Sequence, residues 1–153
     1  MIFFTVKAVT KKTIMSIKIN EATKNRPGGT RVLDAPAVLI HIPHYLDMIR
    51  NEKAWQEGDR NGITVFKNED ISVVITMLEK NAKLENVQMK GYASLYLLKG
   101  RISMQAGDDT KEAAAGDLMI FHPCINYSIE AMEESSFALT HYCNEADREG
   151  EIF

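Results

Sequence analysis

From Gly62 onward, apolar and polar residues change places at every second position. Ile63 and Val65, then Ile71, Val73, Ile75 and Met77, alternate with Thr64, Ser72 and Thr76. A period of two puts one side-chain class on each face of an extended strand and cannot form the stripe a helix needs. Lys67-Asn68-Glu69-Asp70 reads as the turn joining the first two strands. Ser94–Leu98 and Arg101–Met104 flank Lys99-Gly100 as a second pair, and Gly107-Asp108-Asp109 forms a hairpin turn. Leu118–Phe121, Tyr127–Ala131 and Phe137–Tyr142 complete the series. Short strands spaced about ten residues apart imply an antiparallel sandwich or barrel. The predicted fold class is all-β, and function then depends on which side chains point inward.

Ahead of this region the character differs. Residues 22–31 form a polar loop punctuated by Pro27, Gly28 and Gly29. The run Ala37-Val38-Leu39-Ile40-His41-Ile42 reads as a strand. Pro43 opens a helix with Tyr45, Met48 and Ile49 on one face, Trp55 just beyond, and Gly58 closing it. Trp55 has two roles open, cover for a barrel end or a dimer contact. Glu79, Lys80 to Lys83 and Glu85 read as a charged, solvated turn. Residues 1–14 are expected to be a disordered or spurious extension, because Met15 begins a stretch resembling a natural N-terminus. Residues 15–61 form a strand, loop and helix packed on the barrel of residues 62–143, and 144–153 an acidic tail.

The chain has 153 residues, 45% of them hydrophobic and 25% charged. That suits one globular core and is too apolar for disorder. A net charge of −3 and scattered basic residues give no reason to expect nucleic acid as a partner. No window approaches the ~20 apolar residues of a membrane span. Two cysteines, Cys124 and Cys143, have no metal-like spacing and fit a reducing compartment, so the expected location is the cytoplasm.

Two motifs carry a family resemblance. Tyr96-Leu97-Leu98-Lys99-Gly100-Arg101-Ile102 is followed, with the two turn glycines 16 positions apart, by Ala115-Gly116-Asp117-Leu118-Met119-Ile120-Phe121-His122-Pro123. In that order they resemble the strand-turn-strand and the Gly-Asp-hydrophobic-Pro signatures of the cupin superfamily, over roughly residues 62–143. The stretch Gly58–Lys67 is also similar to small single-domain bacterial cupins of unassigned function. The resemblance implies an antiparallel, jelly-roll-like cupin barrel and a homodimer, since cupins commonly pair barrels through edge strands, and pairing covers exposed edges.

It also implies where a metal would be held. Counting back from Gly100, the third-ligand slot falls at Ala93. The two histidine slots fall at Val87 and Met89, or in the longer family spacing at Asn86 and Gln88. Strand parity favours the first pair, because 87, 89, 93, 95 and 97 share one face. The fourth slot falls at Tyr127. Transition metals need imidazole, thiolate or carboxylate donors, and these slots offer an aliphatic chain, a thioether, a methyl and a phenol. The resembled metal site is therefore degenerate, and neither metal nor other cofactor is expected.

Val87, Met89, Ala93, Leu95, His122, Tyr127 and His141 are the candidate pocket residues. His122, His141 and Tyr127 are expected to converge on the cavity the metal would have used. His41 and His44 straddle Pro43, which spoils chelating geometry. Cys124 lacks an orienting partner and reads as an inert thiol. The leading reading is metal-independent binding of a small, partly apolar organic molecule. One alternative is a cupin enzyme, with a metal on His122 and His141, or metal-free with histidine and tyrosine as an acid–base pair. Another is an interaction module whose cavity is filled by its own side chains. The scaffold itself cannot choose among them.

Overall fold

In a computed structural model, residues 17–142 are described. The expectations for residues 1–14, Cys143 and the 144–153 tail fall outside them. β1 (Lys18–Asn20) and β2 (Arg31–Asp34) pair into a small antiparallel hairpin. α1 (Ile42–Asn51) and α2 (Lys53–Glu57) follow. Then come β3 (Arg60–Lys67), β4 (Ile71–Leu78), β5 (Lys83–Gln88), β6 (Ala93–Lys99) and β7 (Arg101–Ala106). β8 (Asp109–Ala114), β9 (Leu118–Phe121), β10 (Asn126–Ala131) and β11 (Ser135–Tyr142) end the series.

The strands form two antiparallel sheets, one ordered β3-β4-β11-β6-β9 and the other β5-β10-β7-β8. Among the described residues no strand ladder closes the two sheets into one barrel. They nonetheless share one apolar interior. Leu95, Leu97 and Phe137 from the first pack with Ile102, Tyr127 and Ile129 from the second. Full burial of a side chain the size of Phe137 contributes about 1.5–3 kcal/mol.

A second apolar cluster lies on the opposite face of the five-stranded sheet. Ile63, Val65, Ile75 and Met77 there meet Ile49 of α1 and Trp55 of α2. The helical stretch thus roofs the β3–β4 half of the sheet. Its start fits the sequence, with Pro43 in the first turn where no N–H is needed. Trp55 is buried within the chain, its ring centroid 5.9 Å from the Arg50 guanidinium, so the dimer-contact role is corrected.

Two other sequence expectations are also corrected, and one strand went unread. Ala37–Ile42 is not a strand: Leu39 is 95% exposed, and Ile42 already belongs to α1. Pro36 and Pro43 bracket this run and remove ladder donors, while Ile40 and Ile42 pack on the second cluster. The charged turn is shorter than its composition suggests, because β5 begins at Lys83 and pairs with β10. β8 carries no strand signal of its own, being Asp-Thr-Lys-Glu-Ala-Ala. It is held by its full register with β7, with only Ala113 buried.

The turn between β6 and β7 explains the strongest motif. Gly100 has φ of +88°, and a Cβ there would collide with Ser135 and the Glu134 carbonyl. Ser135 is buried against this turn. Its hydroxyl accepts from the Arg101 N–H at 3.1 Å and lies within donating distance of the carbonyls of Arg101 and Glu133. Only glycine combines that φ with so close an approach.

Candidate functional site

The predicted pocket residues gather where β5, β10, β9 and β6 end. Tyr127 and Val87 are direct partners across β10 and β5. Leu84 pairs with Ile129, so Glu85 and Asn86 together oppose Ser128 in a bulge, and Asn86 takes φ of +55°. Parity alone would put Leu84 and Val87 on opposite faces. The bulge inserts one residue and lets both pack against the interior cluster. Met89 also packs there, whereas Asn86 and Gln88 are exposed.

Ala93 stands between Phe121 of β9 and His141 of β11. The Phe121 and Tyr127 rings stack 4.2 Å apart with 10° between planes. Tyr127 is 2% exposed, and its hydroxyl has no hydrogen-bond partner. Burial pushes this phenol up to about 12. Leu95 lies deeper, opposite Met119 and Leu139, and is fully buried.

His141 accepts the Gly91 N–H on Nε2 at 3.3 Å, so it braces the loop that follows β5. The Met89 carbonyl accepts from the Cys124 N–H at 2.8 Å, and the Tyr92 carbonyl from the Tyr142 N–H at 2.8 Å. These bonds tie residues 88–92 across this end of the fold. His122 points elsewhere. It is exposed, its ring 5.2 Å from that of Tyr92, and Tyr127 and His141 sit at the interior end without it. His44 is far off in the chain's first helix, edge-on to Tyr45. Sequence reasoning missed Phe121 as the wall against Tyr127. Its one available signal was the position directly before His122-Pro123 at the end of an apolar run.

The donor set does not fit a transition metal. Val87 and Ala93 offer no lone pair, Met89 offers a soft thioether, and the Tyr127 phenol keeps its proton at neutral pH. Among the described residues no three His, Cys, Asp or Glu side chains gather as an ion would require.

Several cavities open on the outside of the described residues. One of about 750 Å³ runs between the 20–26 loop and α2. Its floor is the Arg26–Glu52 pair, which Asn61 completes by donating to Glu52 Oε2 at 2.7 Å. Another, of about 440 Å³, lies beside β2 and Leu39. A third, about 540 Å³, follows the bulge on the outer face of the four-stranded sheet.

No family model matches the chain, and no curated protein matches it. Solved structures do. A conserved protein of unknown function from Streptococcus pyogenes superposes with a TM-score of 0.58 at 17% identity, over 73% of this chain and 91% of that one. A cupin superfamily protein from Desulfitobacterium hafniense gives 0.54 at 7% identity, over 56% and 78%. A mutant salicylate 1,2-dioxygenase from Pseudoaminobacter salicylatoxidans gives 0.52 at 10% identity, over 55% and 26%. The architecture is thus that of the cupins, two facing antiparallel sheets around an apolar interior. In fold this chain is similar to small cupins. No described helix is long and apolar enough to cross a membrane.

Proposed function

We propose that the chain binds a small, partly apolar organic molecule at the Tyr127 end of the interior, without a metal ion. The observation that carries this is the Tyr127 hydroxyl, buried and without a partner. Leaving such a group unsatisfied costs about 1–3 kcal/mol, which a ligand's acceptor atom recovers on binding. Stacked Phe121 and the side chains of Val87, Ala93 and Met89 supply the apolar walls. The hydroxyl touches no water-sized space, so the molecule enters as Met89 swings aside, a motion its unbranched chain permits. The ligand carries a neutral acceptor, such as a carbonyl or ether oxygen, because no charged side chain belongs to the interior cluster.

A second reading, a filled module acting only through its surface, is favoured by the complete burial of Leu95, Leu97 and Phe137. A thermal-shift screen of small carbonyl compounds, with and without chelator, separates the two. A chelator-insensitive rise in Tm that disappears in Tyr127→Phe supports binding. No shift with any compound, or the same shift in Tyr127→Phe, removes it in favour of the filled module.

The same scaffold carries an assembly proposal. On the outer face of β6 and β9, Tyr96, Leu118 and Ile120 are 45%, 59% and 61% exposed, and Tyr96 pairs directly with Leu118. The helices that roof β3 and β4 do not cover them. β9 is a sheet edge, and we assign this face to pairing with a second copy of the chain.

A further inference from the structure

The outer face of the four-stranded sheet is mostly a surface of paired charges. Lys83 meets Glu130 at 3.5 Å, and Arg101 meets Glu112 at 3.1 Å. At the β5 bulge this pattern stops. The cleft of about 540 Å³ there is lined by Glu85, Asn86, Gln105, Asn126 and Ser128, with Gly107 and Tyr127 completing its wall. The side chains of Glu85, Asn86, Asn126 and Ser128 make no hydrogen bond or ion pair among the described residues. The single one of Gln105, to the Gly107 carbonyl, is long at 3.4 Å. A smaller hollow of about 150 Å³ continues it past Ser103.

The bulge is what assembles this cluster. In a regular strand Glu85 and Asn86 would face opposite sides, yet both are exposed and both line the cleft. Asn86 reaches that position with φ of +55°, a left-handed conformation that asparagine tolerates at some energetic expense. Strain of this kind, held by the surrounding ladder, is a pointer to function.

The chemistry of the cluster is specific. Each amide presents a donor and an acceptor side by side, the serine hydroxyl does both, and the carboxylate accepts from two neighbouring donors. No free cation stands among them to select an anion, and one carboxylate is too few for a firmly held calcium ion. Groups with adjacent donors and acceptors on an uncharged frame match this array. We propose that the bulge cleft, on the outer face of the four-stranded sheet, is a binding site for a neutral saccharide, one or two sugar rings in size.

Saturation-transfer NMR on the full chain tests this with D-glucose, D-galactose, D-mannose, cellobiose and xylobiose as probes, and with calcium chloride alone as a control. The expected result is transfer to at least one sugar. That signal weakens about tenfold in Asn126→Ala, the loss of roughly one good hydrogen bond. Asn86→Gly serves as the folding-safe variant, since glycine suits a positive φ and should keep or raise Tm while still losing sugar binding. Silence from all five sugars, undiminished transfer in Asn86→Gly, or perturbation by calcium alone would each overturn the proposal.

Discussion

The rings of Phe121 and Tyr127 lie nearly parallel, 4.2 Å apart, and close one end of the space between the sheets. The stack shields the phenol so fully that its hydroxyl has neither a protein partner nor exposed surface. Where the cupin resemblance would put a histidine, this chain has a neutral phenol whose hydroxyl finds no acceptor.

That hydroxyl makes the folded state sensitive to base. Tyr127 has a folded value raised to about 12 from an ordinary 10.0. The sign is that of an acid held neutral by folding: nothing is lost below pH 10, and stability falls as the pH rises from there through 12. The loss is about 2–3 kcal/mol for a shift of this size. Urea unfolding at stepped alkaline pH should show a drop that Tyr127→Phe flattens. At neutral pH the same variant should be as stable as the wild type or up to about 1 kcal/mol more so, since it removes an unsatisfied donor.

Glu52 gives the opposite limb. Its carboxyl is held below the usual 4.5, chiefly by the hydrogen bond from Arg26. The stability it contributes is present above pH 4.5 and is lost as the pH falls through the depressed folded value. The bond fastens the loop before β2 to α2 and, through Gly62, to β3. Glu52→Gln should blunt the decline of Tm between neutral and acid pH. Glu52→Ala at pH 7 should destabilise by about 2 kcal/mol, because Arg26 then keeps a partly buried charge without its partner.

Two turn glycines should separate sharply. A Cβ on Gly100 would press on Ser135 and on the Glu134 backbone, with Ser135 Cα only 2.8 Å away. Gly107 has φ of +60° but nothing within 4 Å of the same added atom. Gly107→Ala should therefore lose about 1 kcal/mol, the penalty of a left-handed backbone alone. Gly100→Ala should lose at least about 3 kcal/mol or fail to fold, read as soluble yield and urea midpoint.

Placing carboxylates on the bare sheet face tests assembly. Leu118→Glu with Ile120→Glu should give a monomer by light scattering where the wild type gives a dimer, with Tm barely lower because both side chains are already exposed. A wild-type monomer at all working concentrations would end the pairing assignment.

The sequence by itself determined the strand-rich class, the turns at Lys67–Asp70 and Gly107-Asp108-Asp109, and the helix that Pro43 opens. Each depends on a local rule, either a period of two or a backbone angle that few residues adopt. The residues at the positions the cupin resemblance implies were also legible, since the spacing from Gly100 is a property of the chain. Tertiary structure decided the rest. β8 exists because β7 offers it a ladder, and Ala37–Ile42 fails to be a strand because no edge offers it one. Val87 faces inward because an extra residue at Glu85-Asn86 shifts the parity, and that bulge is fixed only by pairing with β10. Phe121 meets Tyr127 between the two sheets, a stacking that depends on how the sheets face each other and that no strand periodicity encodes.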